Sequence, residues 1–209
     1  MFVACPKIER ARENLPKSCN IISSDVKSLP YEDAFFDKVV IKMGLHENPY
    51  IDQQVIVNEF FRVLKPGGKL IIWELYLNEK TQPIFQKVIR KKDQLAGFTS
   101  LVKKRYFQRK DEMKHFLDMA GFIDFREVFV FNPALHTKVR LNELVSLETK
   151  EGVTDVNLLE LAQSRLNELN ETLRSLTDEE KEVIGMKDLG EDILIHNIEK
   201  GIVTAMKPK

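Results

Sequence analysis

The chain has 209 residues, 43% apolar and 31% charged, which supplies enough hydrophobic surface to offset chain entropy and excludes a disordered protein. The formal net charge is zero, but residues 86–110 carry nine Lys or Arg against one Asp, and residues 141–199 carry fifteen acids against five bases, so charge is segregated along the chain. Two cysteines, Cys5 and Cys19, are too few for a disulfide scaffold, and no stretch approaches the roughly 18–20 apolar residues of a membrane span.

In chain order, residues 20–23, 38–42 and 69–75 read as three short strands. The last two are continuous apolar runs, the pattern of parallel strands buried on both faces. Between them, Ile51, Val55, Phe60, Val63 and Leu64 form a helical stripe, so the segment predicts a βαβ unit. Lys65-Pro66-Gly67-Gly68-Lys69 ends that helix, because proline cannot continue it and paired glycines allow a tight turn. Residues 83–97 and 110–120 predict two further helices, the second closed by Gly121, and residues 122–131 a strand.

From Val139 to about Asn197 the pattern is helical and acidic. Leu159, Ala162, Leu166, Leu169, Leu173 and Leu176 repeat every three or four residues, which fits packing against the body or a short coiled-coil seam. Thr177 and Glu180 predict a capping box. Residues 201–207 close the chain as a final strand. The expected organisation is a core over 1–138, an acidic helical insertion over 139–197 and a last core strand over 198–209.

Four elements in order carry a resemblance: Ser24-Asp25-Val26-Lys27-Ser28-Leu29-Pro30-Tyr31, Phe36-Asp37-Lys38-Val39-Val40, Leu45-His46 and Glu59 through Lys69. Together they resemble the middle of class I S-adenosylmethionine-dependent methyltransferases of the ubiquinone/menaquinone-biosynthesis (type 11) group. The resemblance implies an α/β, Rossmann-like sheet. It also implies S-adenosylmethionine as cofactor, with Asp25 accepting from the adenine amine, Val26 beside the ring, and Lys42, Met43 and Gly44 along the cofactor and methyl-transfer cleft. His46 is a candidate general base near neutral pH. The residues alone also leave Asp25 open to capping the turn that follows it.

Against the family pattern, none of the nine glycines precedes Gly44, so the glycine-rich loop that cradles such a cofactor has no counterpart. Residues 3–12 resemble the end of the family's second strand and its helix, yet no acid precedes Glu9 to hold the ribose. The expectation is therefore a sheet lacking its first strand, N-terminally truncated relative to the family, with an edge that a second copy or an upstream partner chain covers.

The expected function is methyl transfer to a small-molecule acceptor by a soluble, cytoplasmic protein. The alternative is a methyltransferase-like partner or scaffold that has lost cofactor binding. A remote third reading is RNA binding through Lys103, Lys104 and Arg105 with Tyr106 and Phe107 for stacking, although the acidic insertion offers those charges partners within the chain.

Overall fold

A computed structural model describes residues 12–139, 144 and 155–209. The resemblance read at residues 3–11, Cys5, and the start of the acidic insertion at 140–143 and 145–154 lie outside the described residues. The elements are β1 (Phe36–Lys42), a 3-10 turn (Leu45–Glu47), α1 (Tyr50–Val63), β2 (Leu64–Leu75), α2 (Thr81–Leu95), α3 (Thr99–Lys104), α4 (Lys110–Ala120) and β3 (Ile123–Phe131). After these come β4 (Leu135–His136), α5 (Asp155–Arg174), α6 (Asp178–Val183), β5 (Met186–Asp188), β6 (Ile193–Ile195) and β7 (Lys200–Met206).

The main sheet has the order β1-β2-β7-β3. β1 and β2 pair in parallel, and β7 is antiparallel to both β2 and β3, so β1, β2 and β3 point the same way. This is the expected βαβ unit: α1 supplies the crossover that a parallel pair requires. The turn between α1 and the paired part of β2 needs its glycine, since a Cβ on Gly68 would stand 2.8 Å from the Lys65 carbonyl oxygen. Gly121 closes α4 at φ 91°, in the left-handed region.

One face of the sheet carries a core in which Ile56 and Phe60 of α1 and Met113 and Leu117 of α4 meet Leu70, Ile72, Val203 and Ala205. The opposite face corrects the reading of β1 and β2 as buried on both sides. Val40 is 64% and Phe129 56% exposed there, and Ile71 and Trp73 are only half-buried. The inserted segment reaches only the carboxyl end of this face, through Leu75. β1 is an edge strand among the described residues, which is why its apolar run is not enclosed.

Residues 20–23 are also corrected: they are not a strand. A strand is held by its neighbour's hydrogen bonds, and none among the described residues lies beside this segment.

The insertion between β3 and β7 is not wholly helical. β4, β6 and β5 form a separate three-stranded antiparallel sheet against which α5 and α6 pack, and short strands flanked by acids carry too little periodicity to show in sequence. The Thr177–Glu180 capping box is present. Ala162, Leu166, Leu169, Leu173 and Leu176 are buried in a core shared with Phe85, Val88 and Phe107 of the body, so the leucine stripe is internal packing rather than a seam for a second chain. Leu159 is 61% exposed. Leu173→Ala is therefore expected to cost about 2–5 kcal/mol by cavity formation, and Leu159→Ala within about 0.5 kcal/mol. Urea denaturation midpoints check this, and equal shifts for the two variants would refute the packing.

Candidate functional site

A cavity of about 280 Å³ opens where the carboxyl ends of β1 and β2, the start of β7, α2 and the insertion converge. The crevice beyond strand carboxyl ends is where open α/β sheets bind ligands. Met43 follows β1 with φ 49°, a left-handed conformation rare for a non-glycine residue, and backbone strain of this kind concentrates at ligand sites. Its amide donates to the Trp73 carbonyl at 2.7 Å, which fixes the turn to β2.

His46, in the 3-10 turn, lines the cavity and is 7% exposed. Its Nδ1 lies 2.6 Å from Glu74 Oε1, and its ring stacks on Phe107 with centroids 4.7 Å apart. Because a carboxylate only accepts, the proton sits on Nδ1 and Nε2 is left as the ring's acceptor. Glu74 is 3% exposed and also accepts from the amides of Leu45, His46 and Leu75 at 3.2, 3.4 and 3.0 Å. This carboxylate was not singled out from sequence; its one signal was a lone acid in the apolar run Leu70-Ile71-Ile72-Trp73-Glu74-Leu75.

The opposing wall is a strap of residues 105–109, held by glutamines. Gln53 Nε2 donates to the Tyr106 carbonyl at 2.8 Å, Gln86 Nε2 to the Arg105 carbonyl at 3.0 Å, and the Phe107 amide to Gln86 Oε1 at 2.9 Å. The Tyr106 amide closes the strap onto the His46 carbonyl. Burial, joined by a hydrogen bond to Glu112, pushes the Tyr106 phenol up to about 12. Arg105 Nη1 reaches both oxygens of Asp93, at 2.9 and 2.7 Å, and Lys92 Nζ stands 3.4 Å from the same carboxylate. Asp93 is 1% exposed.

On the insertion side, His136 Nδ1 meets Asp192 at 2.7 Å. Burial raises the Asp192 carboxyl, but the Lys138 amide, His136 and Thr137 outweigh it and hold the group below the usual carboxylate range. Lys87 and Lys91, part of the basic run, pair with Glu180 and Glu168 of the insertion, as the segregated charge suggested.

Of the residues chosen from sequence, Met43 and His46 are brought together in the cavity; the others are not. Lys42 lies outside its lining, with Nζ 4.1 Å from the Trp73 ring centre. Gly44 caps the 3-10 turn, and a Cβ there would meet nothing of the protein closer than 3.6 Å, so the chain's own packing does not demand glycine. Asp25 does not follow a strand. It is exposed, and its Oδ1 accepts from the Lys27 amide at 2.9 Å, which is the turn-capping role. Val26 is half-buried against the α1 side of the core. The Lys27 ammonium is raised by its hydrogen bond to Asp52, with Asp52 and Asp25 adding charge attraction.

For S-adenosylmethionine the fit is partial. The exposed Asp25 carboxylate and Val26 are chemically suited to an adenine amine and ring. No glycine-rich cradle or ribose-binding acid stands among the described residues before β1.

A methyltransferase-domain family profile (Methyltransf_11) matches residues 3–72. The chain is 31% identical to the ubiquinone/menaquinone biosynthesis C-methyltransferase UbiE of Bartonella quintana over 146 residues, covering 62% of this chain and 55% of that protein. It is 33% identical to the demethylmenaquinone methyltransferase of Staphylococcus haemolyticus over 117 residues, covering 49% and 47%. The chain thus spans about half the length of the curated relatives it matches. In fold it is similar to a Bacillus halodurans protein provisionally named a methyltransferase, with TM-score 0.76 at 19% identity over 97% of this chain and 79% of that one. It is likewise similar to the YcgJ protein of Bacillus subtilis, with TM-score 0.69 at 14% identity over 96% and 76%. By its matched segment and its relatives the chain is similar to S-adenosylmethionine-dependent methyltransferases of the ubiquinone/menaquinone-biosynthesis group, and its fold is similar to that of a methyltransferase-like solved structure.

Proposed function

We propose that this chain serves methyl transfer from S-adenosylmethionine to a small, largely apolar acceptor held in the cavity beyond β1 and β2. The observation that carries the reading is the meeting of Met43 and the His46–Glu74 pair at the strand ends, in a cavity walled by Leu75, Phe85, Phe107 and Leu173. The similarity to a ubiquinone/menaquinone biosynthesis C-methyltransferase supports an apolar ring acceptor.

When bound, the cofactor supplies an electrophilic methyl on a sulfonium. The chain's own task is alignment and proton handling, since such a transfer depends mainly on orientation. Phe107 and the aliphatic wall hold the acceptor and exclude water. His46 Nε2 would take the proton that the acceptor atom sheds once its electron pair has bonded the methyl carbon, the broken carbon–sulfur pair staying on the cofactor's sulfur, and Glu74 keeps the imidazole in the accepting tautomer and would stabilise the imidazolium. Asp25 would accept from the adenine amine of the bound cofactor.

A second reading, a folded partner that does not bind the cofactor, is favoured by Asp25, which is exposed and caps a turn instead of following a strand. Titration calorimetry with S-adenosylhomocysteine decides between them. The first reading expects a Kd of about 10–100 μM, roughly −5 to −7 kcal/mol, weakened about tenfold in Asp25→Ala by loss of one charge-assisted hydrogen bond. Undetectable binding at millimolar concentration would establish the second.

A further inference from the structure

We infer that His136 is a second binding residue of this cavity, one that takes a neutral N–H or O–H donor of the bound molecule on Nε2 and so lets the insertion select the ligand. The inference rests on the methyl-transfer reading only in calling that molecule the methyl acceptor; the hydrogen-bond polarity of the wall follows from the side chains themselves.

His136, in β4, lines the cavity beside Thr137. Its side chain is 38% exposed, and its Nδ1 stands 2.7 Å from Asp192 Oδ2. Asp192 is not part of the lining, so the carboxylate stands behind the ring and the edge that carries Nε2 is left to the cavity. Asp192 Oδ1 accepts from the Lys138 amide at 2.9 Å and from the Thr137 hydroxyl at 3.2 Å. A carboxylate only accepts, which places the imidazole proton on Nδ1; in the neutral ring Nε2 then keeps its lone pair. No partner for Nε2 stands among the described residues.

The backbone around the ring is held on several sides. β4 sets His136 opposite Leu194 of β6, the Thr137 amide donates to the Ile193 carbonyl at 2.9 Å, and the Ile193 amide donates to the Thr137 hydroxyl at 3.0 Å. Asn170 of α5, 1% exposed, donates to the Glu191 carbonyl at 3.0 Å and so fixes the residue before Asp192. His46 and Glu74 repeat the arrangement from the turn after β1: Nδ1 on a carboxylate outside the lining, Nε2 left as the acceptor. Two imidazoles of the same polarity therefore line one cavity, one from the sheet and one from the insertion. A molecule that displaces solvent from such nitrogens must supply donors in return, because an enclosed acceptor left unpaired weakens binding.

Nitrogen-15 spectra of the whole chain, labelled at histidine and held at about pH 8, above the ordinary histidine range, test this by titration with indole and benzothiophene. Indole brings one N–H donor and no acceptor; benzothiophene has the same shape with sulfur in place of the N–H. The His136 resonances are identified by their loss in His136→Phe, which keeps a ring in place and leaves Asp192 its two other donors. Indole is expected to move the His136 Nε2 resonance upfield from the position of an unprotonated ring nitrogen and to bind at least about threefold more tightly than benzothiophene, which should leave that resonance where it is. Asp192→Asn keeps an oxygen on the Lys138 amide and the Thr137 hydroxyl, which turns its amide nitrogen to Nδ1 and moves the ring proton to Nε2; the indole-dependent shift should then be lost. A shift confined to His46, a shift that survives the change of tautomer, or absence of binding by either probe to the folded chain would overturn the proposal. S-adenosylhomocysteine added to the same samples separates the two claims. The His136 shift without binding of that nucleoside removes the methyl-transfer reading alone, and binding of the nucleoside without the shift removes the inference alone.

Discussion

Replacing Asp93 with alanine is expected to cost the fold about 3–5 kcal/mol, the range for removing one partner of a buried ion pair. The side chain is 1% exposed and lies between Arg105, whose Nη1 reaches both of its oxygens, and Lys92 at 3.4 Å. Without it Arg105 loses its bidentate carboxylate partner in a largely buried position. Much of the loss is the penalty on what remains, so the effect should exceed what the pair contributes when intact. Lys114 and Asp118, 2.6 Å apart on the surface of α4 with side chains 54% and 52% exposed, are the comparison. Lys114→Ala should change stability by about 0.5 kcal/mol or less. The midpoint of urea unfolding, at unchanged slope, reads both; an Asp93→Ala shift as small as that of Lys114→Ala would show the cluster to be hydrated and open.

Glu74 has the second large effect, and two substitutions separate its roles. Glu74→Ala strips the acceptor from the amides of Leu45, His46 and Leu75 and from His46 Nδ1. Each buried donor left unpaired costs about 1–3 kcal/mol, so a loss of about 3–5 kcal/mol is expected after partial relaxation. Glu74→Gln keeps the shape, but its amide nitrogen can donate to Nδ1, which moves the imidazole proton to Nε2 and abolishes the accepting nitrogen. Nitrogen-15 spectra of the imidazole should show this tautomer change in the folded variant. With an acceptor that turns over, transfer should fall about 10²–10⁴-fold in Glu74→Gln, and comparably in His46→Gln. An unchanged tautomer together with an unchanged rate would remove His46 from the chemistry.

The parallel β1–α1–β2 unit was legible because its signals are local. A helical stripe ends at Lys65-Pro66, Gly67 and Gly68 permit the turn, and a continuous apolar run follows. The end of α4 at Gly121 and the Thr177–Glu180 box were equally local. The strand read at residues 20–23 failed for the opposite reason: its existence depended on a neighbour, and four apolar-biased residues do not carry one. The same dependence explains Val40, an apolar residue in a strand-like run that stands 64% exposed at the sheet edge. His46 was visible as a lone histidine. What fixes its tautomer, Glu74, lies 28 positions downstream, and nothing in the spacing joined the two.

By itself, the sequence determined the order and type of the elements from β1 through β3, the last strand and the family resemblance. These follow from periodicity, caps and turn residues that act over fewer than ten positions, and from motif order across residues 24–69. The tertiary structure alone decided which charges became a site. Asp93 is the one acid in the basic run of residues 86–110, yet only the packing of α2 against the strap buries it with Arg105, and only the insertion, folding back over Leu75 and α2, turns the strand ends into a cavity. Burial and electrostatic pairing depend on distances between residues far apart along the chain, and a linear pattern does not contain those distances.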